Sequence, residues 1–128
     1  MSRWIVTAVF LGAALVAGCG SDGSGVSGSK ELGSLSDGEV ADLCAYLVDV
    51  EGSLRTIRCD GDVTVTVGDR TEAECTAELR LTRELPDCTA TVDEAEICSE
   101  DLADLSDADR CDDAFPLSCL ALLECMEP

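Results

Sequence analysis

Eight cysteines lie between residues 44 and 125, and they restrict this chain more than any other feature. They are Cys44, Cys59, Cys75, Cys88, Cys98, Cys111, Cys119 and Cys125, with no Cys-x-x-Cys pair among them. Zinc ribbons, thioredoxin-like redox sites and haem attachment therefore lack their motif. In an exported chain an even set of spaced cysteines reads as four disulfide bridges. The pairing stays open, since eight cysteines admit about a hundred connectivities. One pair is set aside. Cys119 and Cys125 fall on one predicted helix, about 9 Å apart along its axis and on different faces, so each is expected to bridge to another element.

Composition removes whole classes of chemistry. The chain of 128 residues has no histidine, which excludes Ser-His-Asp and Cys-His catalytic pairs, His-ligated metals and an imidazole pH switch. Its formal net charge of −19 excludes nucleic acid as a partner and any electrostatic hold on an anionic membrane. A hydrophobic fraction of 46% is too high for a disordered acidic tail.

The ninth cysteine, Cys19, closes a different kind of segment. Arg3 gives a short positive start, and Trp4 to Ala17 form an apolar run broken only by Thr7 and Gly12. That run is too short to cross a bilayer as a helix and has the form of a secretory h-region. It ends in Val16-Ala17-Gly18-Cys19, which resembles the lipobox of bacterial lipoproteins. The resemblance implies cleavage between Gly18 and Cys19, a diacylglycerol on the Cys19 thiol and acylation of the new amine. The membrane partner is then reached through lipid on Cys19. Several acyl chains on one residue give stable anchoring where a single chain does not. Gly20 stands where an Asp would retain an enterobacterial lipoprotein in the inner membrane, so the resemblance points to the outer membrane of a bacterial cell envelope.

Three segments follow from this reading: a signal peptide over 1–18, a lipidated Cys with a flexible Gly/Ser linker over 19–34, and a disulfide-stabilised helical domain over 35–128. The linker assignment rests on GSDGSGVSGSKELGS at 20–34, in which nothing apolar repeats.

Within the domain, capping-box spacing recurs at Ser36/Glu39, Thr71/Glu74 and Thr91/Glu94. Val40, Leu43, Cys44, Leu47 and Val50 make one apolar face of a first helix, which Gly52 ends. A hairpin follows, with Thr56 to Cys59 against the alternating Val63-Thr64-Val65-Thr66-Val67. A three-residue Asp60-Gly61-Asp62 loop pairs Ile57 with Val65 and Cys59 with Val63, and is preferred to a two-residue turn because it brings apolar residues together. Helix two is expected from Thr71 to about Glu84, before Pro86. Helix three carries Val92, Ala95, Cys98, Leu102 and Leu105 inward. An acidic loop is expected over Ser106 to Asp113. A last helix is expected over Pro116 to Met126, apolar enough to be buried on most sides or to meet a partner. The fold class is a small, mainly α, disulfide-rich domain of about four short helices and one hairpin.

The lipobox, the Gly/Ser segment, the Leu35-Ser36-Asp37-Gly38-Glu39-Val40-Ala41-Asp42-Leu43-Cys44 opening, the Cys59-Asp60-Gly61 hairpin and the Cys88-Thr89-Ala90-Thr91-Val92-Asp93-Glu94 run together resemble small cysteine-rich lipoproteins of the myxobacterial type. That likeness implies an envelope location and a disulfide fold, and transfers no functional residue.

No constellation specifies catalysis, and no cofactor, metal ligand or catalytic residue is assigned. The densest acidic cluster, Glu100, Asp101, Asp104, Asp107, Asp109, Asp112 and Asp113, lacks a calcium-loop pattern and reads as a solvated face. The expected function is a membrane-tethered, non-catalytic structural or interaction module with an envelope protein as partner. The alternative is a lipoprotein that binds a small ligand or a divalent cation.

Overall fold

The computed structural model describes residues 23–126. It contains α1 (Asp37–Glu51), β1 (Arg55–Arg58), β2 (Thr64–Val67), α2 (Glu72–Thr82), α3 (Val92–Ala103), α4 (Asp107–Cys111) and a single turn α5 (Leu120–Leu123). Short 3₁₀ turns occupy Leu32–Ser34, Asp60–Asp62 and Leu117–Cys119. The small, mainly α, disulfide-rich class is what the structure shows.

The helix starts follow directly from local chemistry. At Ser36/Glu39, Thr71/Glu74 and Thr91/Glu94 the capping side chain accepts from the third helical N–H and the Glu reaches back to the cap N–H. These contacts satisfy donors that a helix start leaves without an intrahelical partner. Gly52 ends α1 at φ +77°, a conformation costly for residues with a Cβ. Helix α2 stops two residues before Glu84, because Arg83 and Glu84 donate to the carbonyls of Arg80 and Leu81 in a tighter turn. The hairpin takes the three-residue register: Ile57 pairs with Val65, and the Cys59 N–H donates to the Val63 carbonyl at 2.8 Å.

Helix α1 packs on both α2 and α3, around Val40, Leu43, Leu47, Val92 and Ala95. Among the described residues no aromatic ring is buried in the core, and cystine sulfur fills part of it. Cys44–Cys75 joins α1 to α2, Cys59–Cys111 joins the hairpin to α4, Cys88–Cys125 ties the segment before α3 to the C-terminal turn, and Cys98–Cys119 ties α3 to the last 3₁₀ turn.

Three expectations change. The first concerns the flexible linker over 19–34. Residues 19–22 lie outside the described residues, but 23–34 form a strap packed on the domain. The Leu32 N–H donates to the Ala90 carbonyl, the Val92 N–H to Lys30 and the Asp93 N–H to Gly28, all within 2.9 Å. The first two N–H groups of α3 thus find their acceptors on the strap. Leu32 is buried, and Val26 packs against the core. The glycines admit close approach: a Cβ on Gly28 would lie 1.9 Å from Asp93 Oδ1, and one on Gly23 2.7 Å from Glu96 Oε2. Glu96 is itself buried and accepts from the N–H and hydroxyl of Ser24. Low apolar content looks like flexibility in a sequence, yet here it lets backbone lie flush on a helix.

The second change is within Ser106 to Asp113. Ser106 and Asp109 form a fourth capping box, with Asp in the Glu position, and start α4. The third is the last helix. It is a 3₁₀ turn, one α-turn and a further turn rather than a continuous helix over Pro116–Met126. A straight helix would point Cys119 and Cys125 to different sides, whereas both must reach α3 or the segment leading into it. The apolar side chains of this stretch are mainly left on the surface instead of being buried on most sides.

Two outcomes are expected. Loop length alone ranks Cys59–Cys111, closing 52 residues, above Cys44–Cys75, closing 31. Burial reverses that order, because Cys44 and Cys75 are core residues and their removal also leaves a cavity. Unfolding by denaturant should show C44A/C75A to be less stable than C59A/C111A by about 1 kcal/mol, each pair losing roughly 3 kcal/mol or more. The opposite ranking would show that the core closes over the gap. The second outcome concerns Glu39, which the Lys30 ammonium at 2.7 Å and then the Ser36 N–H hold down to about 2 from its ordinary 4.5. A carboxyl lowered in the folded state stabilises above its unfolded value and ceases to do so as pH falls through the folded one. The stability difference between wild type and E39Q should therefore be complete near neutrality and shrink between pH 4.5 and about 2. A difference independent of pH would remove the Lys30–Glu39 latch from the account.

Candidate functional site

The eight cysteines expected to form bridges do so, which leaves Cys19 as the ninth. Cys119 and Cys125 bond to Cys98 and Cys88 rather than to each other. Their Cα separations are 4.7 and 4.6 Å, which pull the C-terminal stretch close to α3. Cys44, Cys75, Cys88, Cys98, Cys119 and Cys125 are buried, and Cys59 and Cys111 are half-buried. Bonded sulfur is neither a nucleophile nor a ligand, so these residues are structural. Gly18 and Cys19, the expected cleavage and lipidation positions, lie outside the described residues.

What the two bridges hold up is an apolar surface. Leu117 is 82% exposed, Met126 75%, Leu120 50%, Phe115 49% and Leu123 42%, all within twelve residues of chain. The reason is geometric. Cys119 and Cys125 take the inward positions, Leu122 packs against the core, and the remaining large side chains have no inward direction left. Single exposed apolar residues are ordinary on a protein surface, but here five of the nine exposed large apolar side chains among the described residues lie close together in sequence. The apolarity of 116–126 is the sequence signal for it. Periodicity could not say which side chains would face out, because the stretch is not one helix.

Beside this surface lies an open depression of about 410 Å³, lined by Asp101, Asp104, Leu105, Asp109, Phe115 and Pro116 among others. Three carboxylates, Asp101, Asp104 and Asp109, share its lining with the apolar Leu105, Ala114, Phe115 and Pro116. The acidic cluster as a whole is dispersed. Glu100 accepts from the Tyr46 hydroxyl, Asp101 from Ser118 at 2.6 Å and Asp107 from Arg55 at 2.9 Å, while Asp109 caps α4. Among the described residues no three Asp, Glu, Cys or His side chains converge as a metal site would require. Elsewhere on the surface the Arg83 guanidinium, 2.8 Å from Asp37, holds that carboxyl below its ordinary range, with Arg80 adding to the effect. Asp37 opens α1, where negative charge also suits the helix dipole.

Chemically the arrangement offers exposed apolar side chains and, in the adjoining depression, carboxylates. Among the described residues no helix is long and apolar enough to cross a membrane. Comparison with known protein families, with curated proteins and with solved structures finds no match to this chain.

Proposed function

We propose that this chain is a lipid-anchored protein of a bacterial cell envelope, most simply of the outer membrane. Its four-disulfide domain is a non-catalytic interaction module that presents the 115–126 surface to another envelope protein. The observation that carries the reading is the pairing of every cysteine from Cys44 to Cys125, which leaves the lipobox residue Cys19 as the single odd thiol. An odd cysteine in an exported chain needs another fate, and thioether linkage to lipid supplies one. Four bridges also suit an oxidising compartment. The fastened apolar surface supports interaction as the task.

The deciding experiment is the intact mass of native, detergent-extracted protein, alkylated with and without reduction. The expected result is an acylated chain beginning at Cys19 that takes no label before reduction and eight labels after it. An unacylated chain, or thiols that label without reduction, would overturn the reading.

The interaction half has its own check. Leu117→Asp and Leu120→Asp alter exposed positions, so each should change unfolding stability by no more than about 0.5 kcal/mol. The same changes should abolish crosslinking of the protein to its neighbour in intact envelopes. Crosslinking that survives both would move the contact elsewhere.

A second reading, a lipoprotein that binds a small ligand or a divalent cation, draws on the depression that Asp101, Asp104 and Asp109 help to line. It requires melting temperature to rise with calcium, since a ligand held only by the folded state stabilises it. No rise is expected from an interaction module.

A further inference from the structure

The strap changes where such an anchored domain can sit. If 20–34 were a free coil, its typical span would be about 20 Å, and the domain would stand clear of the bilayer. Residues 23–34 are instead part of the domain: their carbonyls complete the start of α3, Glu31 bridges to Thr91, Ser24 is held by Glu96, and Leu32 is buried. Between Cys19 and Gly23 stand three residues, which reach at most about 14 Å even fully extended. The described chain begins beside the second turn of α3, where Gly23 abuts Glu96. Asp93 and Ile97 are the exposed α3 residues adjoining that turn.

We infer that the strap face, residues 23–29 with the exposed side of α3 at Asp93 and Ile97, lies against the headgroup layer of the membrane that carries the anchor. The inference rests on the lipid-anchor reading. Its partner is the lipid surface itself, identified by the length of chain that remains between the anchor and the ordered domain. The face is not adhesive. It has one isoleucine beside carboxylates on a chain of net charge −19, so the acyl chains supply the attraction and the short spacer sets the distance. That distance is comparable with a Debye length of about 10 Å at 0.1 M salt, so the domain's charge acts on the headgroups directly. An interaction module held in this way meets its partner at the membrane surface rather than at the end of a stalk.

The test is neutron reflectometry of the detergent-extracted, lipidated protein reconstituted into a supported zwitterionic bilayer. Acylation of Cys19 is first established by mass. The wild-type protein layer should begin within about 14 Å of the headgroups. Two variants release the strap: Leu32→Asp, which puts a charge in a buried site, and Val26→Asp, which puts one where Val26 packs against the core. With the four bridges still intact by alkylation, either variant should widen the gap to about 20 Å. Either should also speed amide exchange at Leu32, Val92 and Asp93 by ~100-fold, since those N–H groups lie at the strap contact. An acylated wild-type protein with a gap as wide as the variants' overturns the inference alone. Absence of acyl mass on Cys19 overturns the anchor reading and the inference with it.

Discussion

Helix α3 is the beam to which most of the molecule is fastened. It carries Cys98, bonded to Cys119, and it follows Cys88, bonded to Cys125. Helix α1 packs along it, and the strap supplies acceptors for its first two N–H groups. Its buried residues are Val92, Ala95, Cys98 and Ser99, all small or of medium size, and Glu96, which holds Ser24 of the strap. Small side chains let neighbouring elements approach closely, and covalent bonds then hold them there.

That arrangement answers a problem of composition. The described core has no large ring, while the chain carries 27 acidic residues against 8 basic ones. Self-repulsion at that imbalance favours expansion, and a thin apolar core opposes it weakly. The bridges act chiefly on the unfolded chain, which they deprive of its expanded states, so they remain effective where hydrophobic burial is limited. Five of the described basic residues pair with nearby carboxylates: Lys30 with Glu39, Arg55 with Asp107, Arg70 with Glu51 and Glu78, and Arg80 and Arg83 with Asp37. These exposed pairs contribute little each to stability, but they pin the strap and the hairpin to particular neighbours.

The same economy bears on function. A domain stabilised covalently does not need every apolar residue inside. Leu117, Leu120, Leu123 and Met126 can face outward on a segment that two bridges keep from unravelling. A rigid apolar surface loses little conformational entropy when a partner covers it. Tight seating near the membrane would further restrict the orientations the surface samples.

Much of this was legible in the residues themselves. The three Ser/Thr–Glu capping boxes located the starts of α1, α2 and α3, and Gly52 located the end of α1, because each depends on contacts within four residues. The Ile57–Val65 register followed from matching apolar partners across a short loop. An even cysteine set beyond Cys19 implied four bridges. Other features were decided only by the tertiary structure. Which cysteines join depends on where helices far apart in sequence come to lie. The break in the last helix depends on two bridges pulling toward one beam. The strap depends on acceptors that α3 lacks and that glycine-rich backbone can bring close enough. Local chemistry determines where elements begin and end; which surfaces are covered is settled when distant segments meet.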